Sequence, residues 1–327
     1  MQTNEHLSLQ LRAIAALLAA LGIAGAAPAQ TYPDKPVRMI VGFAPGGGTD
    51  TTARPIAQKL GDLLGQQVIV DNRPGAGGNI ATDIVAKSNP DGYTILMGTI
   101  AALAINPSLY SKLPFDPEKD LAPVIQAVDS TNILSVHPSV PAGSVKELIA
   151  LAKSKSMSYG SSGVGGTGHL AGELFNVMAG TQLVHVPYKG GGPAMIDLVA
   201  GQVQVVFATG ASAVPQIKNG KIKGIAVTTA KRSALMPDLP TIAESGLKGY
   251  DANNWYGVMV PAKTPRAVIN RLNADITKVL AMPDVKNFLF NQGLDAAPST
   301  PEAFGAYIKS ERAKWAKVIK TAGAKAE

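Results

Sequence analysis

Three short loops concentrate glycine and hydroxyl-bearing residues, and they are where this chain most easily builds a chemical site. They span residues 44–50, 160–168 and 187–192. Glycine lets the backbone approach a ligand closely. A loop that precedes a helix also presents unpaired N–H groups and the positive end of the helix dipole, which favour an anion. The loops therefore indicate an anion site made largely of backbone amides, although strand-to-helix turns also use glycine for geometric reasons alone.

A second kind of chemistry is suggested by Ser161, Ser162 and His169, which could supply the nucleophile and the base of a serine hydrolase. The surrounding residues do not form the G-x-S-x-G turn of many hydrolases, because a valine occupies the position of the last glycine. The other histidines downstream of residue 30, His137 and His185, are interpreted as structural. An exported hydrolase that uses Ser161 or Ser162 with His169 stays open as the alternative function.

The middle loop also matches the dinucleotide-binding pattern at Gly163, Gly165 and Gly168. That pattern needs an acidic residue about 20 positions later to bind the ribose, and Tyr188 and Lys189 stand there instead. The chain has no Walker phosphate-binding motif, no H-E-x-x-H motif and no histidine–carboxylate cluster with metal spacing. We therefore expect no cofactor and no metal.

The composition of the 327 residues excludes several other classes of protein. Hydrophobic residues make up 46% and charged residues 16%, unlike a disordered chain. The absence of cysteine excludes disulfide scaffolds, thiolate metal sites, a cysteine nucleophile and a lipidated N-terminal cysteine. The net charge of +7 comes from scattered basic residues, so it does not indicate nucleic acid and leaves a weak preference for small anions. The length predicts two domains.

Strand and helix patterns alternate along the chain and place each glycine-rich loop between a strand and the following helix. The predicted strands cover 37–43, 67–70, 93–97, two apolar stretches within 121–136, 158–160, 183–186, 203–207 and 222–228. The predicted helices cover 51–64, 79–87, 145–153, 169–178, 193–200, a segment ending at 218, 265–280 and a segment from 301. This alternation predicts an α/β protein with parallel sheets covered on both faces.

Helix N-termini are predicted from residues that cap free N–H groups or begin a helix with proline. These signals are Thr49 or Asp50, the capping box Ser144-x-x-Glu147, and the pairs Thr264-Pro265 and Thr300-Pro301.

The N-terminus has the layout of a secretory signal peptide. Residues 13–27 form an apolar run that is too short for a typical membrane span, and Ala27-Pro28-Ala29 fits a cleavage site. We therefore assign residues 1–29 to a signal peptide. The mature chain is expected to be soluble in the periplasm and, without cysteine, to lack a lipid anchor.

Five stretches together resemble the Bug-type extracytoplasmic solute receptors, which are the binding proteins of tripartite tricarboxylate transporters. The resemblance runs from about Tyr32 to the C-terminus. The stretches are YPDKPVRMIVGFAPGGGTDTTAR, VDNRPGAGGNIATDIVAKSNPDGYTILMG, SYGSSGVGGTGHLAGELF, VHVPYKGGGPAMIDLVAGQVQVVF and WYGVMVPAKTP.

The resemblance implies a type II periplasmic-binding-protein fold, with two α/β lobes that close on a ligand like a Venus flytrap. Two crossing strands are expected at about 125–136 and 250–261. Lobe 1 then comprises residues 30–128 and 254–327, and lobe 2 comprises residues 129–253.

The resemblance also implies which residues contact the ligand. One carboxylate would be held by the loops 43–50 and 161–167, largely through backbone N–H groups and ordered water, with further contacts from both lobes. The implied ligand-binding residues are Phe43, Gly46, Gly47, Thr49, Asp50, Thr99, Ser161, Gly163, Gly165, Thr167, Tyr188, Lys189, Gly190 and Thr209.

Several of these residues keep two interpretations. Asp50 would accept bonds from loop amides or water, or cap its helix, and Thr49 would cap its helix, bind ligand, or both. Phe43 would line the pocket or belong to the core. Lys189 would complement the ligand charge or point into solvent. His169 is expected to pack at the start of its helix.

The function implied is a periplasmic receptor, not an enzyme, that captures a small carboxylate for uptake. The carboxylate could be a di- or tricarboxylate, an amino acid or an aromatic acid. The expected partners are membrane transporter subunits, and the receptor itself is expected to be a monomer.

Overall fold

The computed structural model describes residues 32–234 and 236–323. The predicted signal peptide over residues 1–29 lies outside the described residues. Every strand and helix below belongs to the unit that begins at Lys35. Within the described ranges, no helix is both long enough and apolar enough to cross a membrane.

The strands are short, and most are buried. They are β1 (Val37–Val41), β2 (Val68–Asn72), β3 (Thr94–Thr99), β4 (Leu121–Ser130), β5 (Asn132–Val136), β6 (Ser158–Ser161), β7 (Val184–Pro187), β8 (Val205–Thr209), β9 (Lys223–Val227), β10 (Asn254–Pro261) and β11 (Leu294–Ala296).

The helices follow most strands, as the sequence predicts. They are α1 (Gly48–Leu64), α2 (Asn79–Ala86), α3 (Asn106–Leu109), α4 (Val145–Ser154), α5 (Thr167–Ala179), α6 (Gly191–Val199), α7 (Gly210–Lys218), α8 (Arg266–Ala281), α9 (Pro283–Asn291) and α10 (Pro301–Ala322). A 3₁₀ turn at Ala76–Gly78 precedes α2, and a π-helical segment at Ala101–Ile105 precedes α3.

The strands form two sheets with the same arrangement. The first sheet has the order β11-β4-β10-β3-β1-β2, and the second has the order β7-β6-β8-β5-β9. In the first sheet β1 is parallel to β2 and β3, while β10 is antiparallel to β3 and β4. In the second, β6 is parallel to β7 and β8, while β5 is antiparallel to β8 and β9. The fold is therefore the two-lobed α/β fold expected. Each sheet also contains antiparallel pairs, which the prediction of parallel sheets from the strand–helix alternation did not include.

The chain crosses between the sheets twice, within the ranges expected. β4 belongs to the first sheet up to Ser130, and β5 enters the second sheet at Asn132, so the first crossing is at Thr131. The carbonyl of Thr131 accepts the N–H of Gly210 at 2.7 Å. On the way back, the hydroxyl of Thr228 donates to the carbonyl of Ala252 at 2.8 Å, just before β10 begins.

β10 and α10 close the core of the first sheet. All eight positions of β10 are buried. Trp255 in β10 packs edge-on against Phe304 of α10, with ring centroids 5.3 Å apart. Buried α10 side chains at helical spacing include Phe304, Ile308, Trp315 and Ile319. The C-terminal helix thus packs on the first lobe, as the sequence indicated.

The helix starts agree with the sequence in two cases. Thr300 caps α10, since its hydroxyl accepts the N–H of Ala303 at 3.1 Å. The Ser144 hydroxyl accepts the N–H of Glu147, whose carboxylate reaches the N–H of Gly143 rather than that of Ser144. The prediction at residues 264–265 is wrong by one position, because proline itself is the N-cap and α8 begins after it.

Candidate functional site

The loops at the carboxyl ends of the strands from the two sheets face each other. The loop after β1 contacts the loop after β7, where the N–H of Ala44 lies 3.4 Å from the carbonyl oxygen of Lys189. A Cβ added to Gly77 would lie 2.7 Å from the carbonyl oxygen of Val164, so these backbones also come close. The result is a cleft between the two sheets.

The smaller of two spaces in the cleft, here called the inner pocket, encloses about 30 Å³. That space suits one or two waters or a group of similar size, such as a carboxylate. Its walls come from both sheets and from β10. They are Phe43, Gly47, Gly48, Thr49, Thr99, Ala101, Ser162, Thr167, Gly191, Thr209, Asn254 and Tyr256.

Four helix N-termini meet at this inner pocket. Gly48, Thr167 and Gly191 are the first residues of α1, α5 and α6, and Thr209 is the N-cap of α7. None of these four helices has its first turn capped by the side chain of its N-cap residue. Backbone N–H groups and the positive ends of four dipoles are therefore directed at one small space, which favours an anion there.

Hydroxyl groups complete the inner pocket. Thr49, Thr99, Thr167 and Thr209 line it, and the described residues that line it include no acidic or basic side chain. An anion in the inner pocket would thus be held by neutral donors. Such bonds to a charged acceptor are stronger than bonds between neutral groups.

Asn254 and Tyr256 contribute from the strand that joins the two lobes. The Asn254 amide donates to the Tyr256 hydroxyl at 3.0 Å, and the Asn254 Oδ1 atom is buried without a hydrogen-bond partner. Burial raises the pKa of Tyr256, so its hydroxyl stays protonated. A Cβ on Gly48 would lie 2.6 Å from that hydroxyl, which explains why glycine stands at the start of α1.

A wider space, here called the outer chamber, adjoins the inner pocket and shares Phe43 and Ser162 with it. The outer chamber encloses about 690 Å³. It is lined by Gly42, Phe43, Gly75, Ala76, Gly77, Tyr110, Ser162, Gly163, Val164, Pro187, Tyr188 and Lys189.

Asp50 lies behind the loop that follows β1 and lines neither space. Its Oδ2 atom accepts the N–H of Gly46 at 3.1 Å and Nε of Arg54 at 2.9 Å, and its Oδ1 atom accepts the Asn72 amide at 3.0 Å. Burial acts to raise the pKa of Asp50, but these hydrogen bonds and the Arg54 charge hold it below its ordinary value. Of the two interpretations kept for Asp50, the bond from a loop amide is the one observed.

Two expectations about this loop need correction. Neither Thr49 nor Asp50 caps α1, because the helix begins at Gly48 and its N-cap is Gly47. The N–H of Gly46 is engaged by Asp50 and is not an open donor. Thr49 therefore keeps only its role as a pocket residue.

The serine–histidine pairing needed by the hydrolase alternative is not made. The Ser161 hydroxyl lies 2.6 Å from Nε2 of His185, and His169 instead accepts the N–H of Gly165 at 3.2 Å. Ser161 is 1% exposed and lines neither space. Ser162 does line both spaces, but none of the described histidines lines either of them.

The cleft brings together most of the residues expected to bind ligand. Those that line it are Phe43, Gly47, Thr49, Thr99, Gly163, Thr167, Tyr188, Lys189 and Thr209. Those that do not are Gly46, Asp50, Ser161, Gly165 and Gly190. Gly190 stands where the loops meet, since its added Cβ would lie 3.3 Å from that of Ala44.

Sequence reasoning missed part of the lining. The residues that were not predicted to bind ligand include Ala76, Tyr110, Gly191, Asn254 and Tyr256, whereas Gly48 and Ser162 lie within the two loops predicted to hold the carboxylate. Asn254 and Tyr256 carried a usable signal, because two polar groups flank Trp255 at the start of an otherwise apolar strand. The glycines near Ala76 formed a further cluster after a predicted strand.

Comparisons with known proteins agree on one family. The family model described as "Tripartite tricarboxylate transporter family receptor" matches residues 52–324. Protein BugT of Bordetella pertussis is 37% identical over 318 residues, which cover 96% of this chain and 98% of BugT.

Solved structures with the same fold include two with bound acids. The structure "R. palustris Rpa4515 with adipate" is 39% identical with a TM-score of 0.87, covering 89% of this chain and 98% of that one. MatC from Rhodopseudomonas palustris with bound malate is 29% identical with a TM-score of 0.84, covering 88% of this chain and 100% of that one.

Proposed function

The chain belongs to the receptor family of the tripartite tricarboxylate transporters, and from this membership we propose that it is a periplasmic receptor that captures a small carboxylate for uptake. The observation that carries the proposal is the meeting of four helix N-termini at the inner pocket. Adipate and malate in the similar structures support the choice of a carboxylate as the anion.

Binding in this proposal uses groups that are already in place. A carboxylate in the inner pocket accepts hydrogen bonds from backbone N–H groups at the starts of α1, α5 and α6, and from threonine hydroxyls. The rigid helices fix these donors, so little order has to be gained when the ligand binds. The Asn254 amide can also turn over. The Tyr256 hydroxyl would then donate to the Asn254 Oδ1 atom, and the NH₂ group of Asn254 would face the ligand.

Capture also requires the two lobes to close and open. We keep the expected lobes, with lobe 1 at residues 30–128 and 254–327 and lobe 2 at residues 129–253, except that β4 stays in the first sheet up to Ser130. The crossings near Thr131 and Ala252 would act as hinges. Backbone contacts across the cleft, such as that between Ala44 and Lys189, would form on closure and break on release.

We also propose where the receptor acts and with which partners. The predicted signal peptide would export the chain to the periplasm, without a lipid anchor. There the receptor would act as a monomer that delivers its ligand to membrane transporter subunits. Its role is capture, and no reaction is proposed for it.

Ligand-dependent stabilisation tests the proposed function. The mature chain would be unfolded and refolded to remove ligands retained from the cell, then heated with succinate, malate, adipate, citrate, benzoate or 3-phenylpropionate. A ligand at 100 times its dissociation constant should stabilise the fold by about 2.7 kcal/mol. The proposal is wrong if none of these carboxylates raises the melting temperature or gives heat in titration calorimetry.

Single hydroxyl deletions connect binding to the inner pocket. Thr209→Val and Tyr256→Phe should each weaken binding of the best carboxylate by roughly tenfold, the effect of about 1.4 kcal/mol. Thr321→Val, at an exposed position of α10, is the matched control and should bind normally. Unchanged affinity in both pocket variants would remove the inner pocket from the proposal.

A further inference from the structure

The charges around the cleft restrict what kind of acid can bind. Among the described residues that line the inner pocket and the outer chamber, the only charged side chain is that of Lys189. Hence no carboxylate lines the cleft to receive a ligand ammonium group. An ammonium group in the cleft would exchange water for neutral acceptors such as Asn254 Oδ1, without a charged partner, which is costly. The lining therefore disfavours amino acids.

Two carboxylates bonded to residues of the cleft or of the loop beside it, Asp50 and Asp197, are already occupied. Asp50 is bound by Gly46, Arg54 and Asn72, as described above. Asp197 accepts the hydroxyl of Tyr188 at 2.7 Å. Neither is free to turn towards a ligand without losing a hydrogen bond, so the restriction on amino groups does not depend on the rotamers of these side chains.

The outer chamber is much larger than a small hydroxy acid, and its walls are mainly apolar. It encloses about 690 Å³, against about 30 Å³ for the inner pocket. Phe43, Tyr110 and Tyr188 supply aromatic walls, and Val164 and Pro187 add aliphatic surface. A four-carbon acid would leave most of this surface in contact with water, whereas a larger apolar body would cover it.

Two of the aromatic walls are fixed in place. The bond to Asp197 anchors the Tyr188 ring at its hydroxyl, and an added Cβ on Gly160 would lie 3.2 Å from Cε2 of that ring. Phe43 packs against Gly78, whose added Cβ would lie 3.3 Å from its Cε2 atom. These rings cannot move back to fill the chamber, so a flat apolar ligand would meet a preformed surface.

We propose that the ligand is a carboxylic acid without an amino group, whose carboxylate enters the inner pocket and whose aromatic body lies in the outer chamber between Phe43, Tyr110 and Tyr188. The proposal rests on the proposed function, since it assumes that the inner pocket binds the carboxylate. Lys189 stands at the exposed side of the chamber, where it tolerates a second acid group on the far end of the ligand.

Three matched ligands test the proposal by titration calorimetry on the mature chain. L-Phenylalanine differs from 3-phenylpropionate by its amino group, and malate lacks the ring. We expect 3-phenylpropionate to bind at least tenfold more tightly than either of the others. If malate or L-phenylalanine binds as tightly or more tightly, the inference is wrong while the proposed function stands. If no carboxylate binds, the proposed function fails and the inference fails with it.

Variants of the chamber wall locate the aromatic body. Tyr110→Leu should weaken 3-phenylpropionate at least fivefold and change malate affinity less than twofold. Phe43→Leu is the second variant and should weaken 3-phenylpropionate more than malate, although Phe43 also lines the inner pocket. Thermal unfolding checks that each variant folds. Equal losses for both ligands, or no loss for either ligand, would overturn the placement of the ring.

Discussion

The Ser161 hydroxyl lies 2.6 Å from Nε2 of His185, inside the second lobe and out of contact with the cleft. His185 stacks on His169 with ring centroids 4.2 Å apart, and His169 accepts the N–H of Gly165. Ser161 in turn accepts the N–H of Gly163 at 3.1 Å. The two histidines thus support the loop that presents Gly163 to the outer chamber, and they do so as neutral rings.

The first prediction concerns acid stability. Burial lowers the pKa of His169 to about 4 and that of His185 to about 3, with the neighbouring His169 adding to the second effect. Both pKa values lie below the unfolded value of about 6.5. The neutral rings therefore contribute their full stabilisation of the fold above that pH, and this stabilisation is lost as the pH falls. Each histidine should reduce the free energy of unfolding by about 1.4 kcal/mol per pH unit below pH 6.

Urea denaturation between pH 7 and pH 4.5 measures this loss. His185→Gln and His169→Gln should each make the free energy of unfolding depend less steeply on pH, by the equivalent of about one proton. Each should also weaken ligand binding, because the loop that carries Gly163 loses support. For binding, His137→Gln is the control, because it follows the end of β5 that lies away from the crossing at Thr131. A pH dependence as steep as in the parent chain would contradict the prediction.

The second prediction has the opposite sign and concerns Asp129. This residue lies opposite Asp295 in the β4–β11 pair. Burial raises the pKa of Asp129 to about 6, and the charges of Asp295 and Glu311 add to the increase. The pKa of Asp129 in the folded state lies above the unfolded value of about 3.9, so protonation of Asp129 favours the folded state. The protein therefore loses stability as the pH rises through 6.

Asp129→Asn resembles the protonated acid and should stabilise the fold by about 1–2 kcal/mol at pH 7.5, with little effect at pH 4. Asp62→Asn, at an exposed position of α1, is the control and should leave the free energy of unfolding unchanged at both pH values. Equal effects of Asp129→Asn at the two pH values would show that its charge is not the cause.

The third prediction concerns closure of the cleft. Gly165 has φ of +79°, and a Cβ there would overlap the Asn106 side chain, which projects from the other lobe. Gly165→Ala should therefore hold the lobes apart and weaken ligand binding by at least tenfold. Small-angle scattering should show a smaller decrease of the radius of gyration on adding ligand.

A second glycine with a positive φ, but with no atom close to its added Cβ, separates the effect of backbone strain from that of the Asn106 contact. Gly65 has φ of +68° and open space around it, so Gly65→Ala should cost about 1 kcal/mol of stability and leave affinity unchanged. Combining Gly165→Ala with Asn106→Ala should recover part of the lost affinity. Normal ligand binding by Gly165→Ala alone would mean that this contact does not limit closure.

The fourth prediction treats Asp50 as a positioning residue. Asp50→Ala leaves the N–H of Gly46 and the Asn72 amide without their acceptor, and should destabilise the fold by about 1–2 kcal/mol. It should also weaken ligand binding several-fold, because the loop that carries Gly47 loses its support. Asp50→Asn keeps an acceptor oxygen and should lose less stability and less ligand affinity than Asp50→Ala. Asp62→Ala, on the same helix, is the control, and a full retention of affinity in Asp50→Ala would contradict the proposed role.

Local patterns were enough to find the elements and the general place of the site. Apolar runs such as 37–41, followed by glycine and then by helical periodicity, identify a strand, a loop and a helix without knowledge of the rest of the chain. The resemblance to the receptor family names Thr99, Thr167 and Thr209 as ligand-binding residues, and all three line the inner pocket, beyond the carboxyl ends of strands where ligands bind in such sheets.

Long-range pairing and shared hydrogen bonds were beyond local patterns. Nothing in residues 254–261 indicates that β10 lies antiparallel between β3 and β4, which is why the sheets were expected to be parallel. Nor does the sequence show that Asp50 engages the N–H of Gly46, or that Ser161 pairs with His185 across 24 positions. Those contacts are set by the tertiary fold.

The place of β10 in the first sheet also determines the order in which the molecule can be completed. β3 and β4, its two neighbours, are both synthesised before it, and all strands of the second sheet are synthesised in between. A growing chain can therefore finish the second sheet while the first still lacks β10 and β11. Until residue 261 has emerged, one edge of β3 and both edges of β4 are unpaired. Unpaired strand edges are the kind of surface that recruits chaperones or a second nascent chain. Shortening the chain ahead of Asn254 would leave the second sheet whole, keep β2, β1 and β3 together, and leave β4 without a partner strand, because β11 would be lost as well.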